Sequence, residues 1–183
     1  MLGDSLDKAT AATATRPIPK SAGAQMRYLV RQHKGSTKAV AQLLGISQRT
    51  VERYVKDQIR RPRPDLGARI QREVRKRWQP RVRQKAQQRA ATTDGITVET
   101  RARFGFTAAP GTTDDGRMRL LTQHLPPQYA ARLFDAQAAG APEQQLQNIV
   151  AEGLQEIYFK DHGRRADGLL VEFTDIDYVE LDF

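Results

Sequence analysis

The sequence predicts an α+β protein in which an N-terminal all-α helix-turn-helix module precedes a smaller mixed α/β module. Apolar residues recur at intervals of three and four through the first half, the period of amphipathic helices. They alternate every second residue across 96–106 and again close to Phe183, the period of half-buried strands. Charge divides along the same line: residues 1–89 hold 22 Lys and Arg against 6 Asp and Glu, a net +16, and residues 90–183 hold 8 against 15, a net −7. The first half suits a polyanion such as nucleic acid, and the second does not.

Length and composition exclude several classes. At 183 residues the chain can hold one ordinary domain or two small ones. It has no cysteine, which removes disulfide scaffolds, thiolate zinc sites and cysteine catalysis. His33, His124 and His162 lie far apart without ligand spacing, so no metal site is expected. No stretch approaches the roughly 18 to 20 apolar residues of a membrane span. The opening MLGDSLDKATAATATRPIPKS lacks the apolar core of a secretory signal, so a soluble, cytoplasmic protein without membrane association is expected.

Ala, Thr, Pro and Ser dominate residues 9–22, a composition with little to bury, and residues 1–20 are expected to form a disordered arm. Residues 21–89 are expected to be the DNA-binding module. Behind Ser21, a candidate cap, Met26, Leu29, Val30 and His33 mark one helical face. Ser36 opens a second helix with Val40, Leu43 and Leu44 inward, and Gly45 stops it where a left-handed residue is needed. Ser47 opens a third, burying Val51, Tyr54, Val55 and Ile59. Two short helices joined by Leu44-Gly45-Ile46-Ser47 make a helix-turn-helix.

The segment TKAVAQLLGISQRTVERYV resembles the DNA-binding motif of bacterial regulators, with small Ala41 at the helix crossing, Gly45 four residues on and Val51 six after that. In such motifs the second helix enters the major groove. Its outward residues here include Gln48, Arg49, Thr50, Arg53 and Lys56, among them types that bond purine edges. From Arg60 to Arg89 twelve Lys and Arg stand against Asp65 and Glu73, while Leu66, Ile70, Val74 and Trp78 repeat every four residues and Pro80 bends or ends the helix. This is the pattern of a helix docked by a narrow stripe, with Arg60, Arg61, Arg63, Arg72, Arg75, Lys76 and Arg77 available for phosphate.

Residues 95–183 are expected to be the mixed module. Ile96, Val98, Thr100, Ala102, Phe104 and Phe106 alternate with polar residues, Arg117–Leu125 is a candidate partner strand, and helices are expected over Pro127–Ala139 and Pro142–Phe159. The close, LLVEFTDIDYVELDF, reads as one or two strands with an acidic exposed face. Asp175 and Asp177 would share a strand face, an arrangement expected of a solvated edge, and Asp161-His162 falls in a glycine-marked turn. There is no phosphate-cradling glycine loop followed by Lys, no GxSxG and no paired metal-ligand helix. The loop AAPGTTDDG, residues 108–116, sets two hydroxyls beside two carboxylates between glycines.

Taken in order, the threonine-rich arm, TKAVAQLLGISQRTVERYV, RRPRPDLGARIQREVRKRWQPRVRQKAQQ and the acidic α+β half resemble the telomere terminal proteins of Streptomyces linear chromosomes and plasmids over essentially the full length. The resemblance implies a protein that caps 5′ DNA ends covalently and primes synthesis filling the recessed telomere. Its implied partners are telomeric DNA, a telomere-associated protein and a DNA polymerase, and its place is the bacterial nucleoid; self-association stays open. The family's linkage threonine falls in the Thr112-Thr113 pair, with Thr113 preferred and Thr107 an alternative, and Asp114 and Asp115 would orient the hydroxyl. Such a chain is a primer consumed as substrate rather than an enzyme. It needs no cofactor or metal of its own, since magnesium comes with the polymerase. A second reading of the same helix-turn-helix is a transcription regulator with a dimerising or ligand-sensing C-terminal module.

Overall fold

Ser21, Ser36 and Ser47 each stand before a helix, and each side-chain oxygen accepts a backbone N–H: from Ala24 at 3.3 Å, Ala39 at 3.1 Å and Thr50 at 3.2 Å. These bonds satisfy donors that a helix start leaves without a partner. In this computed structural model, which describes residues 1–107, 118–160 and 169–183, the caps open α2 (Ala22–Gln32), α3 (Thr37–Leu44) and α4 (Gln48–Val55). A fourth helix of the first half, α5 (Pro64–Arg77), begins on a proline, whose missing N–H costs nothing there. Met26, Leu29, Val40, Leu44, Val51, Ile70 and Val74 are fully buried together, with Tyr54 beside them. This core belongs to one compact unit, Ala14–Pro80.

The second unit is discontinuous, comprising Met1–Thr13 and Arg81–Phe183. Strands β1 (Ile96–Thr107), β2 (Met118–Leu125) and β3 (Leu170–Asp182) form an antiparallel sheet in the order β2-β1-β3. The expected alternation holds: Ile96, Val98, Thr100, Ala102 and Phe104 are all fully buried. They meet α1 (Leu2–Ala12), α7 (Pro127–Ala138) and α8 (Glu143–Leu154) in a single core. Buried Thr100 donates to the carbonyl of Tyr178 at 2.8 Å, next to a bulge in β3, so an inward polar residue is satisfied rather than stranded. The other sheet face carries Glu99, Arg101, Glu180 and Asp182, with exposed Leu120. α6 (Pro80–Arg89) and two π-helical turns, Ala90–Asp94 and Gln155–Phe159, complete the described elements.

Three expectations are corrected. Residues 2–12 are helical rather than a disordered arm, because Leu2, Leu6 and Ala9 bury one face in the mixed core and the α1 N–H groups of Leu2 and Gly3 donate to the Glu143 carboxylate at 2.5 and 3.2 Å. The helical module ends at Pro80 rather than residue 89, since α6 belongs with the mixed unit. The mixed module is therefore the larger of the two. Of the one or two strands expected at the close of the chain there is one, whose register shifts twice against β1 and so keeps Val171, Val179 and Leu181 inward.

Candidate nucleic-acid interface

The turn between α3 and α4 is built from three residues. Gly45 adopts φ 61° and ψ 42°, a left-handed conformation that costs glycine nothing. This lets Ile46 N–H reach back to the Ala41 carbonyl at 3.0 Å. Ser47 then caps α4, and its hydroxyl also bonds that of Thr50 at 2.8 Å. Val51 and Tyr54 turn inward. Burial pushes the Tyr54 hydroxyl pKa up, partly offset by the positive field of Arg53 and Arg63.

The opposite side of α4 is exposed at Arg49 and Arg53, and Lys56 follows as the C-cap. Spacings of four and three put these cations on one stripe. Thr50, engaged with Ser47, is half-buried. The Gln48 amide donates to Thr37 Oγ1 at 3.1 Å and to Glu52 Oε1 at 3.0 Å. It is thus a brace between α3 and α4, where periodicity alone suggested a free base-reading amide.

Acidic side chains are few here and are occupied. Ala14–Pro80 holds 17 Lys and Arg against 4 Asp and Glu, a net +13. Asp57 pairs with Arg27 at 2.7 Å, Asp65 with Arg69 at 3.2 Å and Glu73 with Arg77, while Glu52 takes Gln48. Among the described residues, Arg49, Arg53, Lys56, Arg60, Arg61, Arg63, Arg72 and Arg75 form no ion pair with a carboxylate. All eight are exposed, as is Lys76. Arg77 departs from expectation: half-buried, it bonds both the side chain and the carbonyl of Glu73, so its charge is largely spent inside the fold.

Sequence reasoning missed Arg69 and Arg27. Arg69 donates from Nη1 to the Leu44 carbonyl at 2.8 Å, clamping the end of α3 from α5. Arg27 spans from α2 to the Val55 carbonyl at 2.9 Å and to Asp57, which sits at φ 54°. The Asp65–Arg69 spacing of four was visible as a helical pair, whereas the Leu44 contact, 25 residues back, carries no local signal.

In the mixed unit, Thr107 is the last residue of β1 and pairs in register with Leu170. Thr112, Thr113, Asp114 and Asp115 lie outside the described residues, as do Asp161 and His162. Asp175 and Asp177 are both exposed, and Asp177 bonds Arg101 at 3.0 Å. Among the described residues no helix is long and apolar enough to cross a membrane.

The chain matches no protein-family model, no curated protein and no solved structure. Its functional reading therefore stands on these residues and on the resemblance carried by its motifs.

Proposed function

We propose that this chain is a DNA-binding terminal protein, which engages telomeric DNA through α4 and α5 and offers a threonine hydroxyl of the 108–116 loop as primer for end-filling synthesis. The observation that carries the DNA-binding half is the row of exposed, unpaired cations on a helix-turn-helix whose few carboxylates are already occupied. Phosphate contacts from Arg60, Arg61, Arg63, Arg72 and Arg75 would position the protein, and Arg49 and Arg53 would read base edges.

The priming half rests on the resemblance of the Pro110–Gly116 segment to the family's linkage region. Thr113 Oγ attacks the α-phosphorus of a deoxynucleoside triphosphate, forming a phosphodiester. Pyrophosphate leaves, and the hydroxyl proton passes to a neighbouring base, for which Asp114 and Asp115 are the nearest carboxylates in sequence. A hydroxyl held in line with the phosphorus gains its rate from orientation. The polymerase supplies the metal ions that stabilise attacking and leaving oxygens.

The test is transfer of a labelled deoxynucleotide to the full chain by its polymerase and telomere-associated protein, comparing Thr107→Ala, Thr112→Ala and Thr113→Ala with the parent. Label should persist in the first two and vanish in the third, with Thr113→Ser retaining part of it. Undiminished label in all three variants overturns the loop as primer. An unlabelled parent that binds a palindromic duplex with half-sites about one helical turn apart favours the regulator instead.

A further inference from the structure

α5 does not end as its apolar stripe would suggest. Trp78 continues the four-residue repeat of Leu66, Ile70 and Val74, yet the helix stops at Arg77, Trp78 turns extended at ψ 117° and Gln79 takes φ 44°. The indole is half-buried, edge-on to Tyr28 with ring centroids 4.9 Å apart and planes at 61°. Both polar ends of this aromatic pair are tied to backbone: Trp78 Nε1 donates to the Arg16 carbonyl at 3.0 Å, and the Tyr28 hydroxyl donates to the Arg77 carbonyl. Tyr28 being buried and the indole N–H engaged, what the half-buried Trp78 ring offers a ligand is π surface.

That surface lines a groove of about 440 Å³, together with Arg16, Arg31, Arg77 and Gln79. The volume lies within the roughly 300 to 1,000 Å³ typical of small-molecule sites. Among the described residues, the only carboxylate paired with its arginines is Glu73, on Arg77. Arg16 and Arg31 are exposed and in no ion pair among the described residues. An anion with a planar, apolar face satisfies both halves of such a groove, which is the chemistry of a nucleotide.

We propose that this groove holds an unpaired nucleotide of a DNA single strand, its base against Trp78 and its phosphates against Arg16 and Arg31. A base inside a duplex has both faces covered by its neighbours and cannot stack on an indole, so the groove selects unpaired strand. Because the polar ring ends are occupied, stacking supplies the contact and any base is accepted. The inference rests on the reading of the chain as a DNA-binding protein but uses none of the residues of α4.

Trp78 is the only tryptophan in the chain, so its fluorescence reports on this groove alone. The full chain is titrated at about 50 mM salt with short oligothymidylate, with a blunt duplex and with thymidine monophosphate. Oligothymidylate should quench the emission to saturation, the duplex should bind with little quenching, and the mononucleotide should bind far more weakly. Arg31→Ala keeps the reporter; it should weaken the oligomer several-fold and lower the slope of log affinity on log salt by about 0.7. Trp78→Leu, followed by anisotropy of labelled oligomer, should weaken binding by about five- to a hundredfold, with Trp78→Phe retaining most of it. Unchanged emission when anisotropy shows the oligomer bound, equal quenching by duplex, or equal affinity for the mononucleotide each overturns the proposal. So does an Arg31→Ala chain that binds like the parent, even where Trp78→Leu does not fold. The Arg49→Ala, Arg53→Ala double variant separates the two readings: unchanged duplex binding counts against α4 as the duplex reader yet leaves the groove standing so long as oligothymidylate still quenches, whereas lost duplex binding with intact quenching supports both.

Discussion

Arg69 holds the helix-turn-helix from outside, and replacing it should loosen that motif without touching any exposed cation of α4. In Arg69→Ala the Leu44 carbonyl at the end of α3 loses its 2.8 Å charged partner and Asp65 loses its 3.2 Å one. A hydrogen bond to a charged group contributes about 1.5 to 3 kcal/mol. Because Arg69 is 37 % exposed, the lower part of that range applies, and the exposed pair with Asp65 adds only about 0.3 to 0.5 kcal/mol. The sum is about 2 kcal/mol, and a unit of this size loses about 4 to 8 °C of Tm per kcal/mol, so the shift should be about 8 to 16 °C. Tryptophan emission is the assay, since Trp78 lies in the same unit. Asp65→Asn should move Tm by less than about 4 °C, and Arg69→Lys should recover only part of the loss because an ammonium cannot fork. Arg72→Ala should leave Tm unmoved while lowering the salt slope of duplex binding by about 0.9. If Arg69→Ala melts with the parent, or Asp65→Asn falls as far, the clamp on Leu44 is not what holds the turn.

Leu6→Ala should cost about 2 to 5 kcal/mol in chemical denaturation, because Leu6 is fully buried in the mixed core; a free arm would give no change. Gly95 sits at φ 73° and ψ −159°, and a Cβ there would lie 2.3 Å from the Leu125 carbonyl oxygen. Gly95→Ala should therefore destabilise by about 3 kcal/mol or more, read by urea denaturation followed by circular dichroism. Burial, reinforced by its bond to Glu156, pushes the Tyr129 hydroxyl pKa well up. A raised folded-state pKa favours the protonated fold, so this contribution is complete below about pH 10, where unfolded tyrosine titrates, and falls away above it. The alkaline loss of stability should be smaller in Tyr129→Phe, and identical alkaline curves would show that the hydroxyl is not protected.

Local rules read the helical unit well because its decisive contacts are local. Ser36, Gly45 and Ser47 announce caps and a left-handed turn within twelve residues, and β1 announces its inward face by strict alternation. What escaped reading depends on distant partners. Leu2, Leu6 and Ala9 have the spacing of a helix face, but the surfaces that bury them lie beyond residue 90, and the threonines around them suggested an arm. The uniform positive charge from Arg60 to Arg89 concealed a unit boundary at Pro80, since charge reports the solvent side of a helix and not the core on which it rests. Periodicity put Gln48 and Arg77 outward, yet could not foresee that Thr37, Glu52 and Glu73 would occupy them. The exposed cations of α4 and α5 were legible because acids are scarce around them: Ala14–Pro80 holds 4 Asp and Glu against 17 Lys and Arg, so most of the cations had to face solvent without a carboxylate.

The split of the mixed unit, with Met1–Thr13 joining Arg81–Phe183, also fixes an order of assembly on the ribosome. Ala14–Pro80 finds all its core partners within itself and can close as soon as it emerges. α1 cannot: Lys8 meets Glu180 across 172 positions, so the first helix waits until the last strand has been made. At about 5 to 20 residues per second, translating residues 81–183 takes roughly 5 to 20 seconds, during which Leu2 and Leu6 stay wet. A nascent chain arrested before β3 would therefore carry a finished helix-turn-helix unit while β1 and β2 still lack the third strand of their sheet.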